Sequence, residues 1–193
     1  MRKKDDFTIV LDFLPNGYPL EGKMRPIVQA IGEFHFSLLE LAPVRGANFI
    51  LKEKVYIGPE KRDKIYYIIG RLKKDKITEN AKILLQEFIE KVVGEHEERF
   101  VDFFNKAQSI NTRLHQIELL PGFGKKHTEE ILEARKEKDF ISFKDMKSRV
   151  SSIPDPKKAI EKRIVEEILE NPRQILFVNW ANGRKEKTAN RRN

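Results

Sequence analysis

The sequence contains no cysteine, which excludes disulfides, thiol catalysis and thiolate metal sites and suits a reducing interior. No apolar run is long enough to span a bilayer, and Met1-Arg2-Lys3-Lys4-Asp5-Asp6 lacks the hydrophobic stretch of a signal peptide. A cytoplasmic protein with no membrane partner is therefore expected. The four histidines, His35, His96, His115 and His127, are scattered without paired ligand spacing, so each reads as an exposed or hydrogen-bonded side chain and no metal site is expected. Nothing in the chain resembles a catalytic constellation, and neither a cofactor nor a small-molecule substrate is implied.

What is present in abundance is charge. Charged residues make up 35% of the 193, with Lys+Arg 38 against Asp+Glu 30 and a net charge of +8. That excess favours a polyanionic partner, nucleic acid before an acidic membrane surface. It lies mainly at the two ends. Residues 1–75 carry 14 basic and 10 acidic side chains, and residues 171–193 carry six and one. The middle of the chain is close to balanced and reads as solvated helix. Glu129, Glu130, Glu133 and Glu137, interleaved with Lys136 and Lys138, form a solvated helix face and not a carboxylate dyad.

Hydrophobic periodicity divides the chain. Phe7, Ile9, Leu11 and Phe13 alternate with Thr8, Val10 and Asp12 before Pro15-Asn16-Gly17, the pattern of a strand ended by a turn. Further strands are expected over 27–31, 34–41, 55–57 and 65–69. Five short strands with tight punctuation predict a small closed or partly closed barrel, OB-like, over residues 1–75; a short sandwich is the alternative. At Thr78 the period changes. Ile83, Leu84, Phe88, Ile89, Val92 and Val93 recur at helical spacing, with Thr78 as N-cap and Gly94 as stop. With a second helix over about 95–107, these form a helical connector, residues 76–107. A helix–hairpin–helix reading follows from Asn111, then a helix over about 142–150, a turn at Ser152-Ile153-Pro154-Asp155-Pro156, and a helix through Ile168 and Leu169. Ile175-Leu176-Phe177-Val178 is expected to be a strand, within a segment 172–182 that pairs with the barrel. Residues 183–193 read as a disordered basic tail.

The informative motif is Leu120-Pro121-Gly122-Phe123-Gly124-Lys125-Lys126. Pro121 stiffens the entry, Gly122 and Gly124 permit positive φ and close backbone approach, and Phe123 plugs the space between helices. The helix that follows points its unpaired N–H groups outward, where a phosphate oxygen fits beside Lys125 and Lys126. Such contacts read no bases. At a second turn, Asp155 would repel phosphate, so that turn is read as structural. In the barrel, Tyr56, Arg62 and Lys64 are candidates for a basic, aromatic surface, with Tyr66 and Tyr67 nearby; solvated loop over core tyrosines is the alternative.

These residues resemble the helix-hairpin-helix family of nucleic-acid-binding modules, including Thr128 and the pair Ile131-Leu132 after the turn. Tyr56-Ile57-Gly58, Arg62-Asp63-Lys64-Ile65, Phe103-Phe104-Asn105-x-Ala107 and Arg113-Leu114-His115 resemble, over nearly the whole chain, an archaeal domain-of-unknown-function family, number 655, described as predicted RNA-binding. The resemblance implies an α+β protein, with an OB-like barrel followed by an all-α helix-hairpin-helix domain at 108–171, and RNA in preference to DNA, in a ribonucleoprotein or ribosomal setting. Two other readings are a protein-interaction adaptor in translation or transcription and a DNA-repair-type enzyme. The second rests on Lys126, near the catalytic lysine of some base-excision glycosylases with such a hairpin.

Arg184, Lys185, Lys187, Arg191 and Arg192 concentrate charge at the C-terminal end. Deleting 183–193 is expected to weaken nucleic-acid binding and flatten its dependence on salt, with no change in melting temperature. Titrations of full-length and truncated protein at low salt test this; equal affinity would show that the tail plays no part.

Overall fold

A computed structural model describes residues 5–19 and 24–178. The first five strands, β1 (Phe7–Leu14), β2 (Ile27–Gly32), β3 (Leu38–Pro43), β4 (Lys54–Tyr56) and β5 (Ile65–Arg71), form one antiparallel sheet in the order β4-β1-β2-β3-β5. The sheet curls into a half-barrel, with β4 and β5 as its edges. Seven residues later comes α1 (Glu79–Glu95), followed by α2 (Glu97–Lys106), a two-stranded ladder of β6 (Ser109–Asn111) and β7 (Leu114–His115), α3 (Lys125–Glu137), α4 (Phe143–Arg149) and α5 (Pro156–Glu170). None of the described helices is long and apolar enough to cross a membrane. The chain divides into two compact units. One comprises the described residues of Met1–Leu85, Ile168–Glu170 and Phe177–Asn193, the other Gln86–Glu167 and Asn171–Leu176.

In the first unit, alternation sends Val10, Val28, Ala30, Leu39, Leu41, Val55 and Ile65 to one face, where they form a buried cluster with Phe13, Phe49 and Ile68 at its margin. Register shifts between Val10, which faces Ala30, and Asp12, which faces Gln29. Leu11 is the extra residue of a bulge, and it turns Asp12 to the opposite face. There the Thr78 hydroxyl donates to Asp12 and accepts from Ala81 N–H at 3.1 Å, capping α1 as its sequence position predicts. Fully buried Gln29 donates to the Lys76 carbonyl at 2.8 Å and accepts from Thr78 N–H at 3.1 Å. The start of α1 is thereby tied to the sheet.

The expected strand over 34–41 starts later, at Leu38. Asp5 is the reason: its carboxylate accepts Phe34 N–H at 2.8 Å and His35 N–H at 3.0 Å, folding 33–36 into a turn with Phe36 at φ 56°. Burial pushes the Asp5 pKa up, and Gly32 makes the burial sterically possible. A Cβ on Gly32 would lie 2.0 Å from Asp5 Oδ2.

Two other expectations are corrected in the second unit. The helix expected from Asn111 to Leu120 is replaced by the β6–β7 ladder and a 3-10 turn over Gln116–Leu119. Asn111 Oδ1 accepts Arg113 N–H at 2.8 Å, and this local competitor closes a tight turn where a helix would need an open backbone. His115 then caps the 3-10 turn: its Nδ1 accepts Ile117 N–H at 3.2 Å while Glu118 accepts His115 N–H at 2.8 Å. The strand expected at 175–178 is absent, since 171–178 take no strand conformation. Buried Glu167, ion-paired with Arg163 at 2.9 Å, accepts Leu176 N–H at 2.7 Å, and Arg163 takes the Gln174 carbonyl at 2.5 Å. The backbone groups a strand would need are used by side chains. The remainder of that segment and the basic tail lie outside the described residues.

Two outcomes test these anchors. Gly32→Ala is expected to cost about 1–3 kcal/mol, as overpacking does, and less when combined with Asp5→Ala, which removes the clashing carboxylate; a double-mutant cycle by urea denaturation reads the coupling. Capping by His115 requires a neutral ring. Burial first, then the Arg135 charge, hold its pKa below the ordinary imidazole value, so the unfolded chain takes up a proton first. The stabilisation is complete above the unfolded value, about 6.5, and is lost as pH falls through it toward the lower folded value. The melting temperature should fall between about pH 7.5 and about pH 5.5, and by less in His115→Asn, whose amide accepts without titrating. Equal falls in the two proteins would refute this role for His115.

Candidate nucleic-acid interface

The glycine turn in the second unit is built from the inside outward. Leu120 N–H donates to Ile117 O and Phe123 N–H to Leu120 O, both at 3.0 Å, so the chain reverses within four residues of the 3-10 turn. Gly122 takes φ +85°, a conformation that strains any side chain, and a Cβ there would also stand 3.4 Å from Pro154 Cγ. Phe123 is buried, its ring centroid 5.9 Å from Phe104 and 6.0 Å from His127. The ring thus fills the core under the turn, as the plug reading expects; it is not exposed to a ligand. Gly124 departs from expectation, because its backbone is extended (φ −115°, ψ −175°). Positive φ is needed at Gly122 alone. What Gly124 contributes is room: its two chain neighbours aside, no heavy atom of the described residues lies within 4 Å of where its Cβ would be.

Gly124 is the N-cap residue of α3, and without a side chain it offers the first turn no acceptor. The N–H groups of Lys125, Lys126 and His127 have no intrahelical partner by geometry. The Gly124 N–H itself rests on His127 Nδ1 at 3.4 Å, a long contact. Thr128 N–H and hydroxyl both donate to Gly124 O, at 3.0 and 3.1 Å, fixing the direction of α3. Lys125 and Lys126 are exposed beside this opening, and the nearest carboxylate to Lys126, that of Glu130, is 4.0 Å away. The second turn is built differently. Asp155 caps α5 by accepting Lys158 N–H at 3.1 Å, with Pro156 at the first helical position. A carboxylate already occupies that helix end, which leaves no place for a phosphate.

Tyr56, Arg62 and Lys64 belong to the first unit and are not brought together as an open surface. The Tyr56 ring lies under the segment that follows β4: it packs at 5.2 Å from Phe7, its hydroxyl accepts Glu60 N–H at 3.3 Å, and a Cβ on Gly58 would sit 2.3 Å from that oxygen. Arg62 Nε donates to the Gly58 carbonyl at 2.8 Å. Lys64 pairs with Glu53, whose pKa it lowers, and donates to the Asn48 carbonyl at 3.1 Å. These side chains shape the 44–65 region. Free aromatic surface is found on β5 instead, where Tyr66 is 74% exposed and Tyr67 46%. The reading of both as core tyrosines fails because β5 is an edge strand. His115-x-x-Glu118 also carries the spacing of a capping box in the sequence, with histidine in the serine position.

Among the described residues no group of three or more His, Asp or Glu side chains is placed to hold a metal ion. The crystal structure of Af1531 from Archaeoglobus fulgidus is similar to this fold with a TM-score of 0.76, at 40% identity, covering 91% of this chain and all of that one. The uncharacterized protein MJ0038 of Methanocaldococcus jannaschii is 41% identical over 184 residues, 94% of this chain and 83% of the relative. With residues 4–179 matching it as well, the chain belongs to the family described as Protein of unknown function (DUF655).

Proposed function

We propose that this protein binds nucleic acid, RNA in preference to DNA, without chemically altering it, and that the turn at Gly122–Lys126 is its phosphate contact. In this reading the second unit is a helix-hairpin-helix module whose first helix has shrunk to one 3-10 turn, and the half-barrel is OB-like. The carrying observation is the start of α3: a helix N-terminus without a side-chain cap, at a glycine with room around it and followed by two exposed lysines. A phosphate oxygen there would accept backbone N–H groups and meet the positive end of the helix dipole. The net charge of +8 supplies a longer-range attraction to a polyanion. Contacts of this kind position the backbone and carry no sequence information. The preference for RNA comes from the resemblance of the chain to predicted RNA-binding proteins.

Lys125→Ala combined with Lys126→Ala tests the reading directly, because both side chains lie on an exposed helix face and their removal leaves the turn intact. If each contacts a phosphate, the slope of log affinity against log salt falls by roughly 0.7–0.9 per lysine, the counterion-release value. The loss should be nearly uniform across unrelated oligonucleotides. A folded double variant with an unchanged slope would mean that the turn faces protein or solvent, and the proposal would fail.

A further inference from the structure

On β5, two tyrosines stand side by side at the edge of the half-barrel. Tyr66 and Tyr67 meet edge to face, centroids 5.5 Å apart with planes at 74°, and Tyr66 keeps 74% of its surface in solvent. Exposure on this scale is unusual for a ring with so much apolar surface, and among the described residues its hydroxyl makes no hydrogen bond. Tyr66 forms one wall of a surface cleft of about 270 Å³ together with Val44, Pro59, Glu60, Arg62 and Ile65. That volume admits one planar heterocycle. Buried Ile65 also lines the cleft, and two hydrogen bonds hold its margins, Val44 N–H to the Lys64 carbonyl at 2.8 Å and Arg62 Nε to the Gly58 carbonyl.

Charge around the cleft is mixed, with a small basic excess. Arg45 and Lys61, chain neighbours of two lining residues, are exposed, and Arg62 lines the cleft itself, against Glu60 and Asp63. Over residues 44–74 there are nine basic and three acidic side chains. An exposed ring beside an open cleft within a basic segment matches a base attached to a phosphate chain, since the base presents a π-face and its flanking phosphates carry the opposite charge. As an edge strand, β5 also has main-chain polar groups on its outer side that no neighbouring strand uses.

We propose that Tyr66 is a stacking platform for one base of single-stranded RNA, held in the Val44–Pro59–Arg62 cleft. The inference deepens the nucleic-acid reading and depends on it, but assigns it a second, separate contact. The hairpin contact is indifferent to strandedness; the Tyr66 contact requires an unpaired base, so the protein prefers single strands. Tyr56, which the sequence offers for this task, cannot perform it, because its ring is packed beneath Gly58.

The test uses the full chain and a short single-stranded RNA of mixed sequence carrying 2-aminopurine, whose fluorescence is quenched by stacking, with the same RNA in duplex form as control. Wild-type protein should quench the probe. Tyr66→Leu should weaken single-strand binding roughly 5- to 150-fold, the range for one base–aromatic stack, lose the quench and bind duplex as before. Tyr66→Phe should keep both signals. Tyr66→Trp, with a larger ring, should bind at least as tightly, and this outcome stands even if the leucine variant proves poorly folded. Single-strand binding unchanged in Tyr66→Leu, an equal loss on duplex, or failure of the phenylalanine variant to retain the quench would each overturn the proposal. The Lys125→Ala, Lys126→Ala protein separates it from the hairpin reading. If that protein is weakened and Tyr66→Leu is not, only the stacking site falls. If wild-type protein binds neither form of RNA, both fall.

Discussion

An α-helix ends with carbonyls that have no partner within the helix, and at the ends of α2 and α3 an arginine from the next helix takes them. Arg135, on α3, donates to the carbonyls of Phe104 and Ala107 at 2.8 and 2.9 Å, where α2 ends. Arg149, at the end of α4, reaches the carbonyls of Ala134 and Lys138 where α3 ends, the latter at 2.8 Å, with its guanidinium 4.5 Å from the Phe140 ring centroid. Asn105 completes the lattice by exchanging two hydrogen bonds, both 2.9 Å, with the backbone of Phe140. Hydrogen bonds to charged groups contribute about 1.5–3 kcal/mol each, and the planar guanidinium bridges two carbonyls without distorting either helix. Through these links α2 positions α3 and α4 holds its far end. The direction in which the first turn of α3 points therefore depends on them.

The glycine turn divides its labour between inside and outside. Phe123 faces the core and fixes the height of the turn above it; Gly122 supplies the reversal; Gly124 clears the approach to the helix start. Phe123 is thus a packing element, as its plug position between two glycines suggests. The turn between α4 and α5 follows the opposite logic, since Asp155 satisfies its own helix and closes the end to anions. The two helix starts of this unit thereby differ: a carboxylate caps one, and the other has no side-chain cap.

Much of this was legible in the amino-acid sequence. Period-2 and period-3.6 patterns located five strands and the helices that follow, Thr78 announced the start of α1, and Asp155 announced a structural turn. These readings succeed because alternation, capping and charge act over a few residues. The sequence also singled out Pro121–Lys126, where the structure has a positive φ at Gly122 and a helix start without a side-chain cap. Readings failed where local and distant demands compete. The Asn111 side chain closes a turn where the apolar spacing of Leu114, Ile117 and Leu120 fits a helix, and Glu167, nine residues away, takes the N–H that a strand at Leu176 would need. What only the tertiary structure decided is which side chains remain available. Tyr56, Tyr66 and Tyr67 are chemically alike in the sequence, but the ring of half-buried Tyr56 is packed against Gly58 while Tyr66 and Tyr67 are exposed on an edge strand. Composition determines which groups a chain possesses; burial and hydrogen bonding, which depend on residues far along it, determine which of them solvent can reach.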